Sequence, residues 1–143
     1  MEYRKFDQTI VLRLDRGDEI IDSICSLIEK ENIQLASVSG IGGTDDFTLG
    51  VFKSEKHTYN QVNGVGTHEI TALIGNINTM DGKPYTHLHM TCAGENGVVA
   101  GHLLRCVISL TAEIFVQVLD GTVDRKRNEE LQINTFYFEG EER

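Results

Sequence analysis

A stretch of alternating apolar and polar residues from Val107 to Leu119 is the feature that most constrains the fold of this chain. Side chains two residues apart share one face of a β-strand, whereas a helix needs a period near 3.6 residues. One face of the stretch carries Ile108, Leu110, Ala112, Ile114, Val116 and Val118. The other face carries Ser109, Thr111, Glu113 and Gln117, with Phe115 as an exception. The pattern predicts a long strand with one buried face, which is typical of an antiparallel sheet.

One segment follows the helical period instead. Apolar residues recur on one side between Ile20 and Ile28, and polar residues occupy the far side. Asp18 and Glu19 come first, where negative charge is favourable at the amino end of a helix. Asn32 is a helix-ending residue. The sequence therefore predicts a helix between these two boundaries.

Shorter β-rich runs account for most of the remaining chain. They predict strands at Thr9–Leu14, Gln34–Ser39, Phe47–Phe52, Glu69–Ile77, Tyr85–Ala93, Val98–Leu104 and Leu131–Phe138. The polar stretch Lys53–Gly66 predicts a loop, with a short strand near Tyr59 as the alternative. We therefore expect an α+β fold in a single domain over residues 1–143. Its core spans about 8–138, residues 139–143 form a frayed tail, and one or two helices pack on a mainly antiparallel sheet.

The glycine-rich segment Gly40–Gly43 follows one of these strands. It has neither the lysine of a phosphate-binding P-loop nor the GxGxxG spacing of a dinucleotide site. It therefore predicts a tight turn or a close approach of two backbones.

Charge limits the classes of partner. The formal net charge is −9, and the one basic cluster, Arg125-Lys126-Arg127, lies between acidic residues and predicts a solvated turn. Proteins that bind duplex DNA through its phosphates need clustered lysine and arginine, so this balance argues against bare duplex DNA as a partner. No apolar run approaches the ~20 residues of a membrane helix, and the amino end has no apolar signal region.

Cysteine usage indicates a reducing compartment. The three cysteines Cys25, Cys92 and Cys106 form an odd set without a CxxC pair. A disulfide framework is therefore not indicated, and we expect a cytoplasmic protein without membrane association. We interpret Cys25 and Cys92 as small core residues.

Three histidines form the main candidate site. His87 and His89 lie two residues apart in a predicted strand, so both imidazoles share a face, with Cα atoms roughly 6.6 Å apart. Asn96-Gly97 is a hairpin signal that brings the next strand back antiparallel. A four-residue loop, Gly94–Gly97, would place His102 directly opposite His89. A two-residue loop, Asn96-Gly97, would instead place Cys106 opposite His87 as a rival ligand.

A three-histidine set suits zinc or another divalent transition metal, because imidazole nitrogen is a favoured ligand. Three protein ligands with one open position are typical of a catalytic zinc, although the set could equally hold a structural ion or form a solvated polar face. Glu69 and Glu113 lie in predicted strands and are the candidate catalytic residues, each either a general base or a partner of a histidine. An edge or interface position is the alternative for both.

Several short motifs occur in a fixed order over about residues 8–120. They are Val11-Leu12-Arg13-Leu14 with Gly17-Asp18-Glu19, Ser37–Gly42, Glu69–Ile77, Asp81–Pro84 followed by His87-Leu88-His89, and Gly101–Leu104 with Glu113. This ordered set resembles the PPC domain, a module shared by plants and prokaryotes. The resemblance implies an α+β fold with an antiparallel sheet and a homotrimeric assembly. It also implies that the HLH and GHL histidines gather near a subunit boundary, where some members hold a metal.

The resemblance also brings a DNA-binding label. In plants the domain is fused to AT-hook segments in nuclear DNA-binding proteins, and stand-alone prokaryotic members carry the same label by prediction. This chain has no Arg-Gly-Arg-Pro sequence, and its only proline is Pro84. It therefore lacks the minor-groove arginines that an AT-hook supplies.

The sequence thus favours a stand-alone, homotrimeric PPC-like protein that binds a metal or small ligand at His87, His89 and His102 and has a regulatory role. Two alternatives stay open. One is a DNA-binding protein by family label. The other is a zinc-dependent hydrolase or lyase that uses Glu113 or Glu69 as proton acceptor.

Overall fold

The computed structural model describes residues 1–138, and the expected tail at 139–143 lies outside them. The described chain forms a single domain with one helix and eight strands, which confirms the mainly β, α+β prediction. The elements are β1 (Glu2–Phe6), β2 (Thr9–Asp15), α1 (Ile20–Glu31), β3 (Ala36–Lys53), β4 (Thr58–Met80), β5 (Lys83–Gly94), β6 (Gly97–Val118), β7 (Asp124–Asn128) and β8 (Ile133–Tyr137). No helix within residues 1–138 is long and apolar enough to cross a membrane.

The strands form one sheet in the order β1-β2-β6-β3-β4-β7-β8, and β5 pairs with both β4 and β6. The long strands β3, β4, β5 and β6 therefore pair in a closed cycle. All pairings are antiparallel except the short contact of β4 with β7. The cycle places β5 between β4, which pairs with it from Lys83 to Gly94, and β6, which pairs with it from His89 to Gly94.

The helix is capped by groups close to it in sequence. The Glu19 carboxylate accepts a hydrogen bond from the Asp22 backbone N–H at 2.8 Å, and Asn32 ends the helix in the left-handed conformation with φ of 51°. The other Glu19 oxygen accepts from the Cys106 backbone N–H on β6, also at 2.8 Å. Glu19 therefore joins the start of α1 to the sheet.

The core lies between α1 and one face of the sheet. The helix contributes Ile20, Ile24, Leu27 and Ile28, and the sheet contributes residues such as Leu12, Leu73, Met90, Ile114 and Val116. At roughly 25 cal/mol per Å² of apolar surface buried, this packing is the main source of stability for a chain of this size. Within residues 1–138 no helix packs on the opposite face of the sheet.

The predicted apolar face of β6 is confirmed for Ile108, Ala112, Ile114 and Val116, all of which are buried. Leu110 was predicted to be buried with them and is instead 69% exposed. The β3–β6 register shifts between Gly42 and Thr44, beside this residue. This irregularity interrupts the alternation, so Leu110 faces outward although Ile108 and Ala112 on either side are buried.

The glycine segment lies inside a strand. The sequence predicted two strands separated at Gly40–Gly43, whereas β3 runs through them without interruption. A Cβ on Gly42 would lie 2.7 Å from the Cβ of Ala112, and one on Gly40 would lie 2.8 Å from the Glu113 carbonyl oxygen. Close backbone packing is thus the correct alternative, because β3 and β6 approach too closely for side chains there.

Two other segments predicted to lack strand structure also form strands. Residues 58–66, predicted as loop, belong to β4, and the basic segment Arg125-Lys126-Arg127, predicted as a solvated turn, lies in β7. Residues 60–63 are exposed on both faces, so they show no apolar alternation for a sequence pattern to detect. Ladder hydrogen bonds to β3 and β8 hold these segments extended.

Candidate metal-binding site

The β5–β6 hairpin determines the geometry of the histidines. His89 pairs with His102, Ala93 with Val98 and Gly94 with Gly97. This is the register that the longer loop predicted, although the unpaired turn is only Glu95-Asn96. The alternative register, which would bring Cys106 opposite His87, does not occur, and Cys106 is buried in the core.

His87 and His89 face away from the core, whereas Leu88 and Met90 between and beyond them are buried. The ring centroids of the three histidines lie 5.1 to 5.4 Å apart. The Nε2 atoms of His87 and His89 are 3.2 Å apart. One nitrogen from each ring can be chosen so that all three lie within 4.8 Å of one another. The structure therefore brings the predicted set together on one face.

His87 and His102 are held in the neutral form. The pKa of His87 is lowered to about 4, mainly by burial and in smaller part by the nearby Arg125 charge and the other two histidines. Burial also lowers the pKa of His102, with contributions from His89 and Arg125. Neutral imidazole is the form that binds a metal, so this site keeps His87 and His102 ready for coordination at neutral pH.

Arg125 reaches the site from β7. Its side chain is 4% exposed, and its Nη2 group donates to Nδ1 of His87 at 3.2 Å and to Oδ1 of Asn76 at 3.1 Å. Nε donates to Oδ1 of Asn78 at 3.1 Å, and Nη1 donates to the backbone carbonyl of Asn134 at 2.9 Å. The interpretation of this residue as part of a solvated turn is wrong, since β7 pairs in parallel with β4 and points it inward.

A cavity of about 340 Å³ opens beside the three histidines. Its walls come from six strands, β3 to β8. Besides the histidines on β5 and β6, they include Val51 and Phe52 on β3, Tyr59 on β4, Tyr85 on β5, Arg125 on β7, and Ile133 and Asn134 on β8. The Tyr59 ring lies 5.3 Å from that of His102. The cavity size suits a small molecule.

The two candidate catalytic glutamates lie elsewhere. Glu69 and Glu113 line a second cavity of about 480 Å³ with Leu110 and Thr111, and neither lines the histidine cavity. Both side chains are exposed. Each lies in a strand that is paired on both sides, so neither is at a sheet edge, and they are not gathered with the histidines.

The cysteines take no part in the site. Cys92 is fully buried, as predicted, and burial raises the pKa of its thiol to about 11. Cys25 was expected in the core and is exposed instead, because it lies at the edge of the apolar stripe of α1.

Sequence patterns missed Arg125, Tyr59 and Tyr85 as site residues. Tyr59 lay in a segment without alternation, and Arg125 lay in a charged run that looked solvated. Alternation gave little indication that Arg125 is buried. Val123, Arg125 and Arg127 share one strand face, and only Val123 on that face is apolar.

Comparison with known families identifies the domain. A family model described as the Plants and Prokaryotes Conserved (PCC) domain matches residues 1–120. The chain belongs to this family. It is the family that the ordered motifs resemble under the name PPC. Comparison with curated proteins yields no match.

Crystal structures of other proteins share the PCC-family fold. A Bacteroides thetaiotaomicron protein, provisionally described as DNA-binding, is 27% identical with a TM-score of 0.93, over 96% of this chain and 97% of that one. A metal-containing protein from Archaeoglobus fulgidus is 28% identical with a TM-score of 0.86, over 96% of each chain. A Pyrococcus horikoshii plant- and prokaryote-conserved protein is 32% identical with a TM-score of 0.81, over 92% of this chain and 90% of that one.

Proposed function

We propose that this PCC-family protein binds a divalent transition metal, zinc foremost, through His87, His89 and His102. The observation that carries the proposal is that three imidazoles converge on one face, with a nitrogen of each within 4.8 Å of the others. The description of the Archaeoglobus fulgidus relative as metal-containing supports it.

The donor set fits such an ion. Two nitrogens on one tetrahedral zinc lie about 3.3 Å apart for Zn–N distances near 2.0–2.1 Å. The Nε2 atoms of His87 and His89 already lie 3.2 Å apart. Nδ1 of His102 is buried and has no hydrogen-bond partner among residues 1–138. A buried nitrogen without a partner is unfavourable in a metal-free protein and is explained by a ligand.

Arg125 sets the proton positions that a metal must change. Arginine only donates hydrogen bonds, so Nδ1 of His87 accepts and its Nε2 carries the proton of the neutral ring. That proton points toward Nε2 of His89. A metal held through Nε2 of neutral His87 would require the ring proton at Nδ1, which would exclude the hydrogen bond from Arg125.

Bound zinc with three histidine ligands would supply a Lewis acid with an open position for a small molecule. No carboxylate within residues 1–138 lines the histidine cavity to act as proton acceptor. Metal and ligand binding, with a regulatory role, is therefore preferred over zinc-dependent hydrolysis or elimination. The DNA-binding alternative is weakened because Arg125, one of three residues in the basic cluster, is buried.

We also propose that the protein assembles as a homotrimer, as the family resemblance implies. The face opposite α1 exposes Ile41, Ile74, Leu110 and Phe115, each 50 to 69% accessible. Ile74 pairs with His89, so this apolar surface continues from the histidines across the sheet. A contiguous apolar patch of this kind marks a protein interface.

Metal analysis of purified protein tests the central proposal. We expect about one zinc ion per chain in the wild type and much less in His87→Ala and His102→Ala, because two ligands hold a zinc ion far less tightly than three. His57→Asn is the matched control, because His57 is exposed in a turn with φ of 49°, a conformation asparagine tolerates. Equal zinc content in all four proteins would show that these histidines do not hold the ion.

A further inference from the structure

The guanidinium of Arg125 is a buried charge without an opposite charge. All its hydrogen-bond acceptors are neutral: Asn76, Asn78, the carbonyl of Asn134 and His87. No carboxylate oxygen among residues 1–138 forms an ion pair with it. The adjacent Asp124 carboxylate accepts from Thr79 Oγ1 instead. An arginine stays charged at neutral pH, and an uncompensated buried charge is strongly unfavourable.

The local fold stabilises this charge only in part. The guanidinium carbon lies 4.4 Å from the ring centroid of Phe136 and 4.9 Å from that of Tyr85, so two aromatic rings pack against the cation. Four of its five N–H groups have acceptors within residues 1–138, which leaves one N–H on Nη1. Metal coordination at His87 would free a second N–H, on Nη2.

The surrounding cavity indicates what could compensate the charge. Its lining within the described residues includes Arg125 and three histidines but no aspartate or glutamate. A zinc ion on neutral histidines would raise the formal positive charge there to about three. Two free N–H groups suit the two oxygens of a carboxylate.

The remaining walls are apolar or aromatic, mainly Val51, Phe52, Tyr59 and Ile133. A cavity of about 340 Å³ lies at the small end of ligand-binding pockets. We propose that the histidine cavity binds a small organic carboxylate, with Arg125 as the cation that anchors its anionic group and the apolar walls contacting the rest of the molecule. The inference rests on the proposed metal site, since it assigns the ligand class of the same cavity.

Calorimetric titration of the zinc-loaded full chain tests this ligand class. The probes are butyrate and benzoate, with benzamide as the neutral analogue of benzoate and inorganic phosphate as a second anion. We expect both carboxylates to bind and benzamide to bind about tenfold more weakly or worse, because it lacks the charge that Arg125 pairs with. Equal binding of benzoate and benzamide, no carboxylate binding, or tighter binding of phosphate would overturn the proposal.

Variants then locate the anchoring cation. Arg125→Gln should weaken benzoate binding about tenfold or more, and Arg125→Lys should weaken it less because the charge remains. Arg127→Gln is the matched control: Arg127 lies two residues along β7, is exposed, and donates to Gln132. It should bind benzoate as the wild type does, and a loss equal to that of Arg125→Gln would contradict the assignment. If Arg125→Gln fails to fold, two other measurements decide whether Arg125 anchors the carboxylate: the wild-type comparison of benzoate with benzamide, and benzoate binding by Arg125→Lys.

The zinc content of each protein separates this inference from the proposed function. Wild-type protein that holds zinc but binds neither carboxylate retains the metal proposal and loses this one. Wild-type protein that holds no zinc loses the metal proposal. The same titrations on the metal-free protein then decide whether Arg125 binds carboxylates by itself.

Discussion

His89 and His102 lie directly opposite each other in the β5–β6 ladder, with ring centroids 5.4 Å apart. His87 joins them from the next position on the same face, at 5.1 Å from each. The pairing depends on one turn, since a shift of the hairpin by a single residue would send His102 to the buried face. The register of a short hairpin therefore decides whether the three histidines lie together on one face of the sheet.

Acid should destabilise the metal-free protein through His87. Its folded pKa of about 4 lies below the ordinary value of 6.5, so the unfolded chain binds a proton in this range that the folded chain does not. The stabilisation of the folded state by neutral His87 is therefore present above about pH 6.5 and is lost as the pH falls toward about 4. We expect the free energy of unfolding, measured by urea denaturation with a chelator present, to fall by about 1–3 kcal/mol from this group.

The comparison that isolates this effect is between two variants. His87→Gln removes the titrating group, so its urea midpoint should fall less between neutral and acid pH than that of the wild type. His57→Asn should follow the wild type, because His57 is exposed. An identical acid response in His87→Gln would mean that His87 does not contribute to the pH dependence.

A methyl group added at Gly42 should be poorly tolerated. Its Cβ would lie 2.7 Å from both the Cβ of Ala112 and the carbonyl oxygen of Thr111, so the β3–β6 backbones would have to separate. We expect Gly42→Ala to lower stability by about 1–3 kcal/mol. At Gly43 the nearest atom to an added Cβ is Leu110 Cδ1 at 3.6 Å, an ordinary contact. Chemical denaturation should therefore show a much smaller loss for Gly43→Ala, and equal losses would contradict this view of the β3–β6 packing.

The exposed apolar face should control assembly. We expect light scattering coupled to gel filtration to give three chains for the wild type. Leu110→Asp should shift it toward single chains, because a charge in an apolar interface is strongly unfavourable. Leu131→Asp, at a residue 50% exposed in the turn between β7 and β8, should leave the mass unchanged. A wild-type monomer would exclude the trimer, and an unchanged mass for Leu110→Asp would place the interface elsewhere.

Duplex DNA should bind weakly or not at all at physiological salt. The net charge is −9, and burial of Arg125 leaves only Lys126 and Arg127 exposed from the basic cluster. The few phosphate contacts that remain give little counterion release. A mobility-shift titration on A·T-rich duplex should show no complex at about 0.15 M salt. A shift that weakens as salt rises would contradict this expectation.

Local patterns in the sequence account for the histidines of the site. The period of two residues along β5 places His87 and His89 on one face and Leu88 on the other, whatever the rest of the chain does. The hairpin signal near Asn96 limits His102 to two registers. The helical period and its two boundaries, Glu19 and Asn32, were likewise correct. Each of these features depends on residues close together in sequence, so local patterns carry them.

Arg125 and the aromatic walls of the site depend on contacts between distant segments. Arg125 reaches His87 only because β7 pairs in parallel with β4, a contact between residues more than forty positions apart. No local pattern reports which strand lies beside which, and the charged residues around Arg125 look the same in a turn as in a strand. By itself the sequence determined that His87 and His89 share one face, and it identified His102 as the third candidate ligand. Only tertiary packing could decide that a buried cation and aromatic walls enclose them, because those groups meet through long-range strand pairing rather than through spacing along the chain.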